Sequence, residues 1–234
     1  MKTTLKKITT TAFVLLLIAS FTNCKAVQNA NNKQKGAAIG VAGGALLGAI
    51  IGNNVGKGNS ELGAVIGAAV GGGAGILVGN RMDKQAQKIE NEIPGAQVER
   101  IDNAIVVTFD ENSGVYFDTE KYNINAASQE TLNKLAGVFK EYPDTNILVV
   151  GHTDSSGPAD YNMTLSKNRA NAVTANLTSK GLMSSRFTTK WYGEEQPTND
   201  NSTADGRAKN RRVNIAIIPN EKMINDAKAQ SGEN

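Results

Sequence analysis

The sequence predicts an α+β protein, with two main helices packed on one face of a mixed sheet and a glycine-rich helical hairpin ahead of them. Three observations predict it. Glycines recur every fourth residue through 36–56 and again through 63–79. From residue 96 onward, short apolar runs and helical stretches follow one another as strand–helix–strand–helix–strand, the pattern of helices layered on a sheet. The stretch "TNILVVGH" (145–152) carries a continuous apolar run between polar flanks, which fits a central strand.

The first element is an export signal over 1–23. Lys2, Lys6 and Lys7 precede the apolar run "AFVLLLIAS", which is short for a bilayer span. The chain has one cysteine, so an exported form has no internal disulfide. "LLLIASFTNC" resembles a bacterial lipoprotein signal, which implies that Cys24 becomes the acylated first residue. Asn23 and Phe21 depart from the small and Leu-like residues usual at those places. Several acyl chains hold a membrane far more firmly than one, at roughly 0.8 kcal/mol per buried CH₂. Residues 24–35 read as a polar tether behind the lipid. The formal charge is +3, and residues 1–23 hold three lysines and no acids. The mature chain is therefore formally neutral, which argues against nucleic acid as a partner.

Residues 36–79 read as two glycine-zipper helices around the polar turn "NNVGKGNSE", with Lys57 and Glu61 the only charges. Each glycine costs a helix about 1 kcal/mol against alanine, so neither helix is expected to stand alone in water. The four-residue spacing lines the glycines along one ridge where another backbone can approach closely. Each apolar stretch has about 17 residues, or ~26 Å, the short end of a membrane span. Lipid or a partner helix is expected to supply the packing, and self-association through the zipper is open. Residues 80–95 read as a charged helical linker stopped by Pro94 and Gly95.

Residues 96–219 carry the compact domain. "AQVERID" and "AIVVTFD" read as a hairpin, and "GVYFD" (114–118) as a further short strand. "INAASQETLNKLAGVFKEYP" is helical, with Ser128, Leu132, Leu135 and Phe139 on one face. "YNMTLSKNRANAVTANLTSKG" is a second helix, with Ala170, Val173 and Leu177 inward and Gly181 as its stop. "RFTTKWYG" reads as a strand, "STADGRAKN" as a short helix and "RRVNIAIIP" as the last strand. The polar residues 220–234 read as a fraying tail.

"VVGHTDSSGPADYNMTLSKNRANAV", "GLMSSRFTTKWYGEEQPTND" and "GRAKNRRVNIAI" together resemble the OmpA-like domain, over about residues 104–218. That family includes peptidoglycan-associated lipoproteins. The resemblance implies non-covalent binding of peptidoglycan through the diamino acid of its stem peptide. It maps the gripping pair onto Asp154 and Arg169. The residue chemistry agrees, since a carboxylate can accept from an ammonium and a guanidinium can donate two parallel bonds to a carboxylate. Thr153 and Asn162 are expected to bond the ligand or hold the loop. Leu165 is expected to wall the pocket or join the core, and Asp118 to begin a ligand-facing loop. Arg211 and Arg212 alternate faces if a strand starts there. Arg212 is taken as the one facing the site, with Arg211 and Asn210 bracing the loops.

His152 is the chain's single histidine, followed by Ser155 and Ser156, but no nucleophile-elbow sequence accompanies them. One histidine and one cysteine do not make a usual zinc set. The expectation is therefore a binding protein with no cofactor or metal, and His152 packed behind the site. The function read from the sequence is an envelope lipoprotein joining a membrane, the outer membrane with the inner membrane as the alternative, to the cell wall, with its globular domain in the periplasm. The alternative is an oligomeric zipper assembly or pore positioned by wall binding. A proton-conducting version lacks an acidic residue within 36–56 or 62–79.

Overall fold

The computed structural model describes residues 72–101, 103–109 and 115–233. The signal segment, Cys24, the tether and the zipper as far as Gly71 lie outside the described residues. Five strands form one sheet: β1 (Gln97–Ile101), β2 (Ala104–Phe109), β3 (Thr145–Gly151), β4 (Phe187–Trp191) and β5 (Val213–Pro219). Their order is β1-β2-β5-β3-β4. Only β3 and β4 run parallel, and the other pairs are antiparallel, so the sheet is mixed. The helices are α1 (Gly72–Glu92), α2 (Ala126–Glu141), α3 (Ala159–Ser179), α4 (Ala204–Asn210) and α5 (Glu221–Ser231). The β3–β4 crossover carries α3, as a parallel pair requires.

The two expected helices form for the expected reasons. Asn125 caps α2 by accepting from the Ser128 amide at 2.8 Å. Leu132, Leu135 and Phe139 are wholly buried on its inner face, as Ala170, Val173 and Leu177 are on α3. These residues meet Ile105, Val107, Ile147, Val149, Ile215 and Ile217 on one face of the sheet.

Three elements differ from the sequence-based expectation. Residues 115–118 are not a strand. Val115 and Phe117 are buried as strand residues would be, but the Phe117 and Asp118 carbonyls accept from arginine side chains instead of a ladder. Residues 220–234 are not a frayed tail, because α5 has Asn220 as its cap and puts Met223 and Ala227 into the main core. The stretch 72–92 is one continuous helix across the boundary placed at 79/80. Its Ala74, Val78, Met82, Ala86 and Ile89 share the core of the sheet and the other helices. Four helices therefore cover this face. Among the described residues, no helix is long and apolar enough to cross a membrane.

Candidate ligand-binding site

The site forms where β3 ends. The ladder continues one residue past Gly151, as the His152 amide donates to the Arg212 carbonyl at 3.0 Å, and the Thr153 amide donates to the Gly193 carbonyl at 2.9 Å. Asp154 then leaves the sheet. One carboxylate oxygen accepts from the Ser156 amide at 2.9 Å, and the other accepts from Arg211 Nη1 at 2.8 Å. Burial would raise this carboxyl, but the bonds from Arg211 and Ser156 prevail and hold it below the ordinary aspartate value.

Arg169 projects from α3 toward the same strand end and is fully buried. Its Nε donates to the Lys121 carbonyl at 2.9 Å, Nη1 to the His152 carbonyl at 3.0 Å and Nη2 to the Asp118 carbonyl at 3.0 Å. Its guanidinium also lies 5.2 Å from the centre of the Phe117 ring. Burial lowers its pKa to about 10, partly offset by the nearby Asp154 charge. It stays cationic at neutral pH. The segment it holds, residues 118–122, is exposed at every position and contains Glu120 at φ 60, unusual for a residue with a side chain.

The other expected site residues fall unevenly. Asn162 is buried and donates from Nδ2 to the Ser156 carbonyl and to the Glu194 carboxylate, so it ties the loop 155–158 to the turn after β4. Thr153 is buried with its hydroxyl unpartnered. Leu165 is buried on α3, at 6% exposure. Asp118 keeps its carboxylate exposed, 3.8 Å from Lys121 Nζ, and contributes its carbonyl to Arg169.

Arg212 is not beside Asp154. It precedes β5 in phase with Ala216 and Ile218, whose side chains belong to the opposite face of the sheet. Its Nη2 donates to the Gln196 carbonyl at 3.1 Å. Arg211, the residue that caps α4, takes the place expected for Arg212, and its Nε also donates to the Phe117 carbonyl at 3.3 Å. The sequence reading expected Arg212 at this place and the structure puts Arg211 there, because the residue pattern sets the alternation but not the residue on which the strand begins. Glu194, which accepts from Asn162, was not among the expected residues, and its sequence signal is the "GEE" after β4.

His152 is fully buried, stacked against Tyr192 with ring centroids 6.0 Å apart. Neither ring nitrogen has a hydrogen-bond partner. Burial first, and then the Arg212 charge, keep it neutral well below the ordinary histidine pKa. It is no relay to Ser155 or Ser156, which are exposed on the loop. Among the described residues, no cluster of His, Cys, Asp and Glu could hold a metal ion.

The OmpA family model matches residues 116–211, and a YMGG-like Gly-zipper model matches residues 1–83. The chain is 39% identical over 186 residues to the probable lipoprotein YiaD of Escherichia coli (strain K12), covering 79% of this chain and 83% of that protein. This chain belongs to the OmpA family. It is also similar to the peptidoglycan-associated lipoprotein of Pasteurella multocida (strain Pm70), 36% identical over 102 residues, which are 44% of this chain and 68% of that protein. Among solved structures, it resembles the cell wall anchor of the T6SS from Pseudomonas aeruginosa. That likeness has a TM-score of 0.50 at 28% identity and covers 59% of this chain and 97% of that one. OmpA-family membership places the chain in a non-enzymatic family.

Proposed function

We propose that this OmpA-family chain is an envelope lipoprotein that ties the outer membrane to the cell wall, with acylated Cys24 in the membrane and the domain bound to a peptidoglycan stem peptide. The observation that carries the reading is the convergence of Asp154 and Arg169 on the end of β3, where Arg169 bonds the His152 carbonyl and feels the Asp154 charge. An ionised carboxylate and a permanent guanidinium there match the two ends of a zwitterionic diamino acid. The names of the relatives, a peptidoglycan-associated lipoprotein and a cell wall anchor, support the choice of ligand.

In this reading the ligand ammonium takes the Asp154 oxygen that Arg211 holds in the free molecule. The ligand carboxylate meets Arg169, which keeps two N–H groups beyond the three it gives to carbonyls. Because Arg169 is buried, the exposed segment 118–122 must shift to admit that carboxylate. Ligand binding then exchanges internal bonds for external ones, and Arg211 is released toward the rest of the stem.

The test is co-sedimentation with purified sacculi. Asp154→Asn keeps shape and removes the charge, while Arg169→Lys keeps charge and removes the fork. Both are expected to lose retention at least tenfold, with circular dichroism reporting that the domain is folded. Wild-type retention in both would defeat the clamp. The anchor is tested separately: labelled fatty acid should enter the wild type and not Cys24→Ala.

A further inference from the structure

The sheet has a second face that the four long helices leave alone. Ile101, Ala104, Val106, Leu148, Val150, Ala216 and Ile218 form an apolar cluster there, joined by Tyr192. Among the described residues, none from a helix belongs to it. Yet these seven residues are only 0–8% exposed. The strand sequences say the same thing independently. "ILVV" in β3 and "IAII" in β5 do not alternate apolar with polar, as strands with one wet face do. Both faces of this sheet are built to be covered.

We propose that the cover is residues 36–71 of the same chain, the glycine-zipper segment, laid across this second face. The segment is apolar and carries only Lys57 and Glu61 as charges. Its glycine ridges let a helix backbone come close to a flat surface, and the contact offsets the helix propensity that the glycines give up. One 17-residue stretch is ~26 Å long, which matches five strands spaced about 4.8 Å apart. The segment runs directly into α1 at Gly72, so it acts at the effective concentration of a tethered partner, and a second copy must compete with that.

The edge of the face points the same way. His152, Arg212 and Asn214 lie in phase with the apolar cluster, and all three are at most 4% exposed. Both His152 ring nitrogens, Arg212 Nε and Nη1, and Asn214 Oδ1 have no partner. A buried guanidinium without a counter-charge is costly, and hydrocarbon would make it more so. The polar turn 53–61 holds three asparagines, a serine and the segment's one acid, Glu61. It brings the groups this edge lacks, as a lipid tail does not. With the zipper on the sheet, the acyl group on Cys24 becomes the membrane attachment of the function proposed above, and the zipper becomes part of the wall-binding body.

The test uses the full chain with a photo-reactive p-benzoylphenylalanine at Ile101 or, separately, at Ile218, the most exposed members of the cluster bar none but each other. Cells are irradiated and the adducts mapped by mass spectrometry. The expected result is an intramolecular crosslink from either position into residues 36–71, with the mobility of a single chain and reduced at least fivefold by Gly44→Leu with Gly67→Leu. Crosslinks to lipid, to a second copy or to another protein would overturn the proposal. So would a yield no higher than from the same probe at exposed Lys134 on α2. Sacculus binding is measured on the same samples, so loss of the wall-binding reading and loss of this one are seen separately.

Discussion

At the scale of single residues, the site is set by how charges are compensated. Asp154 is ionised because Arg211 and the Ser156 amide outweigh its burial. Arg211→Gln removes the main stabiliser, so the Asp154 carboxyl should titrate at higher pH than in the wild type, as read by carbon NMR of the carboxyl. Sacculus binding should also persist in the wild type at mildly acidic pH and fall only below the ordinary aspartate range, since a depressed carboxyl loses its charge last. His152 works in the other sense. It stays neutral when folded but takes a proton near pH 6.5 when unfolded, so the unfolded state binds more protons below that pH. Stability should therefore fall by about 1.4 kcal/mol per pH unit below ~6.5 from this residue alone. Urea denaturation of wild type and His152→Gln between pH 7 and 5 checks it, and the variant should lose that part of the slope.

At the scale of elements, the site depends on how closely β3 meets α3. A Cβ on Gly151 would sit 2.1 Å from the Ser166 carbonyl and 3.3 Å from Ala170 Cβ. Both belong to the helix that carries Arg169, so Gly151→Ala must push strand and helix apart. The expected cost is about 1–3 kcal/mol in urea denaturation, with weaker sacculus binding, because Asp154 and Arg169 sit on the two separated elements. Buried arginines hold the other joints. Arg186 donates to the carbonyls of Phe139, Tyr142 and Thr145, fastening the end of α2 to the start of β3 as Arg169 fastens the segment 117–121 to its end. These braces explain what was and was not legible in the sequence. Helices α2 and α3 were readable because their apolar spacing is local. Residues 115–118 read as a strand because side-chain burial alternates there, whereas the backbone partners are guanidinium groups dozens of residues away. Asp154 and Arg169 were singled out through motif and chemistry, and the structure puts both at the end of β3. Arg211, not Arg212, lies on Asp154 because Arg211 caps α4 and the strand begins two residues later.

At the scale of the whole molecule, the two ends of the described chain are fastened together. The Gly73 amide donates to Glu233 at 2.6 Å, and Arg81 Nη2 donates to Gln230 Oε1 at 3.1 Å. A carboxylate at the start of α1 also suits that helix's positive end. Met223 and Ala227 of α5 also enter the core that holds Val78 and Met82 of α1. No local pattern foretold this, since α5 has few apolar residues and its partner surface lies about 150 positions earlier in the chain. Helix α1 shares the core of the sheet, and α5 acts as a clasp on the end of α1 where the described chain begins. Met223→Ala opens that clasp without touching the site. It should cost about 2–4 kcal/mol, in the range of large-to-small core changes. Hydrogen exchange should then quicken first at the amides of 73–82, while those of β3 and α3 keep their protection relative to global unfolding. Uniform acceleration across α1, β3 and α3 would mean that α5 stabilises the domain as one unit and has no separate role at that end of α1.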